Sequence, residues 1–152
     1  MLEFNLFADY FQFYIQDESA DGDLSDAWTD DAVEQLFAVG PGVVGIGTVR
    51  NMDVPVSVEI LEAETAVDLG AWDQVVECTL VTQSANLVIA GCTDYFPDAA
   101  RIPVAPGIYR LRACYAGLDT LSDDDLEGND RYHLQLWPAP AIEPVVLKRR
   151  TA

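Results

Sequence analysis

The feature that most limits what this chain can become is a hydrophobic period of two. In residues 108–116, Tyr109, Leu111, Ala113 and Tyr115 fall on one side, and Arg110 and Arg112 on the other. That alternation suits a strand with one buried face; wound into a helix, it would scatter the apolar groups around the axis. Residues 131–137 repeat it, with Tyr132, Leu134 and Leu136 on one side. In 54–60, Val54, Val56, Val58 and Ile60 alternate with Pro55, Ser57 and Glu59. Phe11, Phe13 and Ile15 alternate with Tyr10, Gln12, Tyr14 and Gln16. Further strands are expected at 43–49, 74–82, 86–90 and 145–147.

The punctuation between these runs sets the connections. Gln83, Ser84 and Ala85 separate two strands and predict a hairpin. Pro55 has no N–H to give to a ladder, so its strand is expected to be an edge at that end. Gly45 and Gly47 predict a bulge or a close neighbour in the 43–49 strand. One helix is expected over 28–37. Thr29 is placed to cap it, and Asp30 and Asp31 sit in its first turn, where the dipole favours negative charge. Trp28 and Val33 fit a hydrophobic staple, Val33, Leu36 and Phe37 form the buried side, and Gly40-Pro41-Gly42 ends the helix. These expectations describe a mainly β fold, an antiparallel β-sandwich of about seven to nine strands with one short α-helix. It forms a single domain over 1–152, with a flexible basic tail at 148–152.

Charge narrows the function. The 152 residues carry 26 acids against 8 bases, a net −18, yet half are hydrophobic, which marks a folding chain rather than a disordered one. So acidic a surface repels phosphate backbones and anionic membranes, leaving a basic protein or a cation as the expected partner. The first 49 residues hold ten acids and no base. Eight of those acids lie within 17–34: Asp17, Glu18, Asp21, Asp23, Asp26, Asp30, Asp31 and Glu34. Clustered like charge costs stability but speeds encounter with a basic surface and imitates the spacing of phosphates. Tyr10, Tyr14 and Trp28 supply aromatic area beside it, of the kind that anchors interfaces.

Chemistry beyond binding has few residues to work with. His133 is the only histidine, set in a strand between Tyr132 and Leu134, and it reads as a satisfied strand residue rather than a base. No nucleophile-elbow, phosphate-loop, dinucleotide or zinc-protease motif occurs, so neither an enzyme nor a cofactor is expected. A calcium-dependent or carbohydrate-binding module is the alternative. Asp17, Ser19, Asp21 and Asp23, with Gly22 following, resemble the front of a calcium loop, but its twelfth position is Trp28 instead of glutamate. The acidic residues of 119–130 are expected to form a solvated loop. Cys78, Cys92 and Cys114 lack metal spacing and are expected to be buried free thiols. Residues 1–15 contain no Lys or Arg, as a secretory signal would need, and no apolar run is long enough to span a membrane, so a cytoplasmic protein is expected.

The aromatic stretch Tyr10-Phe11-Gln12-Phe13 is followed by Trp28-Thr29-Asp30-Asp31-Ala32-Val33-Glu34, a glycine-containing strand and Arg50-Asn51. This order resembles the N-terminal pattern of the competence protein ComJ (nuclease-inhibitor) family. Pro106-Gly107 and Tyr109 match that family's Gly-x-Tyr strand more loosely. The resemblance implies a cytosolic protein that binds and inhibits a DNA-degrading nuclease. It covers mainly residues 10–51, and the acidic loops 17–26 and 119–130 are longer than the family pattern.

Overall fold

The structure is a computed structural model that describes residues 1–151. Eleven strands are found among them: β1 (Leu2–Phe7), β2 (Gln12–Asp17), β3 (Phe37–Gly40), β4 (Val43–Gly47), β5 (Asp53–Ile60), β6 (Gln74–Thr82), β7 (Asn86–Gly91), β8 (Ala100–Pro103), β9 (Gly107–Ala116), β10 (Arg131–Pro138) and β11 (Val145–Lys148). One helix, α1 (Asp30–Gln35), lies between β2 and β3. The larger sheet has the order β1-β5-β10-β9-β6-β11, the smaller β3-β4-β2-β7-β8. The pairings are antiparallel except for β5 with β10.

The alternating faces meet as the pattern requires. Tyr109, Leu111, Ala113 and Tyr115 of β9 and Tyr132, Leu134 and Leu136 of β10 share one core with Phe13, Ile15, Val44 and Ile46 of the smaller sheet. Phe13 packs edge-on against Tyr132 at 6.0 Å, and Tyr115 does so at 5.8 Å. The opposite face of β9 is not simply solvated. Arg112 is buried there, bonded to Glu77 at 2.9 Å and lying over the Trp137 ring at 4.8 Å.

Several expectations are corrected. The strands β6 and β7 do not form a hairpin, because they belong to different sheets. Gln83-Ser84-Ala85 is the crossing between them. β5 lies inside its sheet between β1 and β10, but at its Pro55 end it pairs with β1 alone, with Asn5 opposite Pro55. The parallel pairing with β10 starts only at Val56, so the missing N–H breaks no bond on that side. The helix ends at Gln35, where Leu36 turns left-handed (φ 64°) and caps it. Phe37 therefore opens β3, and Gly40-Pro41-Gly42 is a hairpin turn between β3 and β4. Val33 is 57% exposed instead of buried. Tyr10 and Phe11 lie before β2, both at φ 59°, in a short turn. Of the cysteines, Cys78 and Cys114 are buried but Cys92 is exposed. At the basic end, Lys148 closes β11 and the Arg150 N–H donates to Gln74.

Candidate protein-docking site

The acidic segment leaves β2 at Asp17, folds back over the outer face of the smaller sheet and continues into α1. Its course is fixed from beneath. Gln16 Nε2 donates to the carbonyl of Ala20 at 2.9 Å. Leu24 and Trp28 rest on β4 where Gly45 leaves room: a Cβ there would lie 2.8 Å from Leu24 Cδ1 and 2.8 Å from Trp28 Cζ2. Gly47 similarly lies under Leu36. The two glycines thus mark a close neighbour. Thr29 Oγ1 accepts from the Ala32 N–H at 3.2 Å and starts α1. At the other end of α1, Gln74 donates to the Gln35 carbonyl and Tyr115 to that of Leu36, so the larger sheet holds the helix from across the sandwich.

The predicted contact residues divide into groups. Asp21, Asp23, Asp26, Asp30, Asp31 and Glu34 are exposed, and none has an ion-pair partner among the described residues. Asp21 accepts from the Asp23 N–H at 3.0 Å and Asp23 from the Ser25 N–H at 2.9 Å, which stiffens the loop without neutralising it. Hydrogen bonds from Ser25 hold the Asp23 carboxyl below its ordinary pKa. Glu18 is half-buried and paired with Arg101 at 2.7 Å. Trp28 is half-buried, with its Nε1 covered and without a hydrogen-bond partner. Tyr14 is half-buried on the strand face beneath, and burial, with Asp94 nearby, raises its pKa.

Asp17 departs from the expectation. It is 3% exposed, and its carboxylate faces inward onto the crossing between β6 and β7. It accepts from the N–H groups of Ser19 (3.2 Å), Gln83 (2.9 Å) and Ser84 (3.2 Å), and from the hydroxyls of Ser19, Thr82 and Ser84. It is therefore an anchor beneath the ridge and not part of its surface. The same geometry shows where the oxygens of the calcium-like pattern are used. Asp17 spends its oxygens on these donors, Ser19 Oγ points back at Asp17, and Asp21 and Asp23 cap turns. Among the described residues no group of three or more His, Cys, Asp or Glu side chains converges as a metal would need.

Tyr10 stands at the far end of β2 from Asp17, 69% exposed, beside Phe11 at 52%. The left-handed turn that displays them is held by Ala8 and Phe11 N–H bonds to Met52 and Ala8 and by the Thr48 N–H on Phe11. Phe11 was hidden from sequence reasoning because its place in the alternation assigned it to the core. The second acidic loop is partly structural as well: Asp130 is fully buried and paired with Arg50 at 2.6 Å, contrary to a solvated loop. His133 is satisfied, as its strand position suggests, through Ser57 and Glu59.

The importance of the Gly45 gap can be measured. Gly45→Val is expected to lift Leu24 and Trp28 from β4 and lower stability by about 1–3 kcal/mol, the usual cost of overpacking. Acrylamide quenching of tryptophan emission should rise as Trp28 loosens; unchanged quenching would mean that the ridge does not depend on this seat.

No family model matches the chain, and no curated protein matches it by sequence. Solved structures do. ComJ from Bacillus subtilis, an inhibitor of the DNA-degrading activity of NucA, superposes with a TM-score of 0.71 at 18% identity, over 91% of this chain and 96% of that one. The product of crocagin biosynthetic gene J gives 0.60 at 17% identity with the same coverages. The chain therefore has the fold of ComJ, with little of its sequence retained.

Proposed function

We propose that this protein is a stoichiometric binding partner, an inhibitor or immunity-type protein that docks its acidic ridge on the basic face of a DNA-degrading nuclease. The observation that carries this reading is the set of six exposed carboxylates, from Asp21 to Glu34, left without ion-pair partners on a segment seated against a sheet. Self-repulsion on a pinned segment is relieved when a cationic surface meets it. A nuclease has such a surface because it must hold phosphates, so carboxylates at similar spacing would compete for it. Trp28, Tyr10 and Tyr14 add aromatic area, and Glu18 contributes from the edge. The fold shared with a nuclease inhibitor supports this reading. The three free thiols support a reducing, cytoplasmic setting.

The test is inhibition of DNA degradation by a panel of nucleases that includes NucA, with binding followed against salt. A variant carrying Asn at Asp21, Asp23, Asp26, Asp30 and Asp31 and Gln at Glu34 should fold normally. It should bind the inhibited nuclease about 100-fold more weakly, with most of the salt dependence gone. Inhibition by the neutralised variant at wild-type strength would exclude the ridge, and no inhibition across the panel would exclude a nuclease as partner.

A further inference from the structure

The outer face of the larger sheet, on the opposite side of the sandwich from the ridge, gathers three residues that neither the fold nor docking needs together. Ser57 and Glu59 are two apart on β5, so both leave the same face. Parallel pairing sets His133 of β10 beside Ser57. Ser57 Oγ lies 2.6 Å from His133 Nδ1, and His133 Nε2 lies 2.7 Å from Glu59 Oε1. Gln135 Nε2 also donates to that carboxylate oxygen, at 3.1 Å. The Gln135 and His133 hydrogen bonds hold the Glu59 carboxyl below its ordinary pKa, against the opposing effect of burial. An ionised Glu59 takes the Nε2–H and leaves the Nδ1 lone pair facing the serine hydroxyl. The imidazole is also fixed in plane: Trp72 stacks on it at 5.7 Å and 5°.

A nucleophile, a base and an orienting acid joined by two hydrogen bonds are the parts that activate a serine, wherever they occur in a sequence. They also need space for a substrate. Ser57 and His133 line an open cavity of about 500 Å³, with Phe4, Val56, Trp72 and Arg131 around it. Pro55, on the same face of β5 as Ser57, and Trp72 offer apolar surface for an acyl chain. Arg131, lying over Trp72 at 4.6 Å, brings a cation to the lining of the same cavity. Glu3 stands opposite Ser57 in the β1–β5 register, which disfavours a negatively charged substrate.

We propose that Ser57, His133 and Glu59 form an acyl-transfer site that hydrolyses small neutral esters. Ser57 Oγ bonds to the acyl carbon as its proton passes to His133 Nδ1. The ester C–O bond breaks, and the leaving alkoxide takes that proton as the alcohol. Water, deprotonated by the same imidazole, then attacks the acyl-serine and releases the carboxylic acid and free Ser57. Glu59 is a positioning residue, acting through the ring.

The whole protein, treated with a fluorophosphonate, should gain one adduct that maps to Ser57. It should also hydrolyse p-nitrophenyl acetate. Ser57→Ala should abolish the adduct and reduce turnover by about 100-fold or more, and His133→Asn should do the same. Glu59→Gln should lower turnover less and move the basic group's apparent pKa in the rate profile, which a merely structural role would not do. A folded wild-type protein that gains no adduct at Ser57, under conditions that label a serine esterase control, overturns the proposal without any variant. Turnover that survives in Ser57→Ala overturns it too.

Discussion

Asp17→Ala will lower the free energy of unfolding by about 3–4 kcal/mol, because it removes the one charged acceptor that several partly buried donors share. The hydroxyls around Asp17 can turn elsewhere: Thr82 already reaches the Ser84 carbonyl at 3.0 Å, and Ser84 that of Asn86 at 2.9 Å. The N–H groups of Ser19, Gln83 and Ser84 cannot. Their loss uncouples the start of the acidic loop from the crossing between β6 and β7. In a domain of this size the melting temperature should fall by roughly 10 °C. Acid gives an independent check. Burial alone would raise the Asp17 pKa, but bonds from Ser84, Gln83 and Ser19 outweigh it and hold the carboxyl far below its ordinary value. A group depressed in the folded state stabilises fully above its unfolded pKa, near 4, and loses that contribution as pH falls toward the folded value. The stability gap between wild type and Asp17→Asn should therefore be constant from about pH 7 to 5 and narrow below about pH 4. A gap that stays constant to pH 2 would show that the carboxylate charge does not matter there.

Asp17 also shows what a sequence does and does not reveal. Its acidic neighbourhood is plain, and so is the strand before it. Ser19 beside it fits an ordinary loop turn, and nothing local says that it turns inward, because the Thr82, Gln83 and Ser84 donors that hold it there lie 65 to 67 residues away. The same distance hides the crossing at Gln83-Ser84-Ala85: three small or polar residues fit a hairpin as well as a change of sheet. Alternation locates strands such as β6, β9 and β10 to within a residue or two, since burying one face is a local requirement. It does not assign a strand to a sheet, because either sheet offers the same apolar face. Leu2, Phe4 and Leu6 of β1 carry this alternation, yet its partner is β5, some fifty residues on. The Ser57–His133–Glu59 set was unreadable for a related reason. Ser57 and Glu59 are visibly on one face of their strand, but a parallel pairing with a strand 76 residues away brings the histidine to them.

The second large effect is expected at Asp130, the one carboxylate of the 119–130 loop that is wholly buried. Arg50 Nε donates to its Oδ1 at 2.6 Å and the Tyr132 hydroxyl to its Oδ2 at 2.7 Å, while Tyr132 accepts from the Val49 N–H at 3.0 Å. Asp130→Ala leaves the Arg50 guanidinium buried without its counter-ion, which typically costs about 3–5 kcal/mol. Removing both charges should cost less than removing one, because the penalty comes from the orphan rather than from the pair's net attraction. Arg50→Met with Asp130→Leu should therefore recover about half of the single-mutant loss in urea unfolding. The loss should spread to the loop above. Arg50 also donates to the Leu126 carbonyl at 3.3 Å, so a guanidinium released toward water draws away the contact that holds 122–127 down. Proteolysis of Asp130→Ala under native conditions should begin within 119–129 before the sheets open. Should the double variant prove as unstable as Asp130→Ala, the cost lies in the cavity and the Tyr132 hydroxyl, and the ion pair is not what fastens this loop to the sandwich.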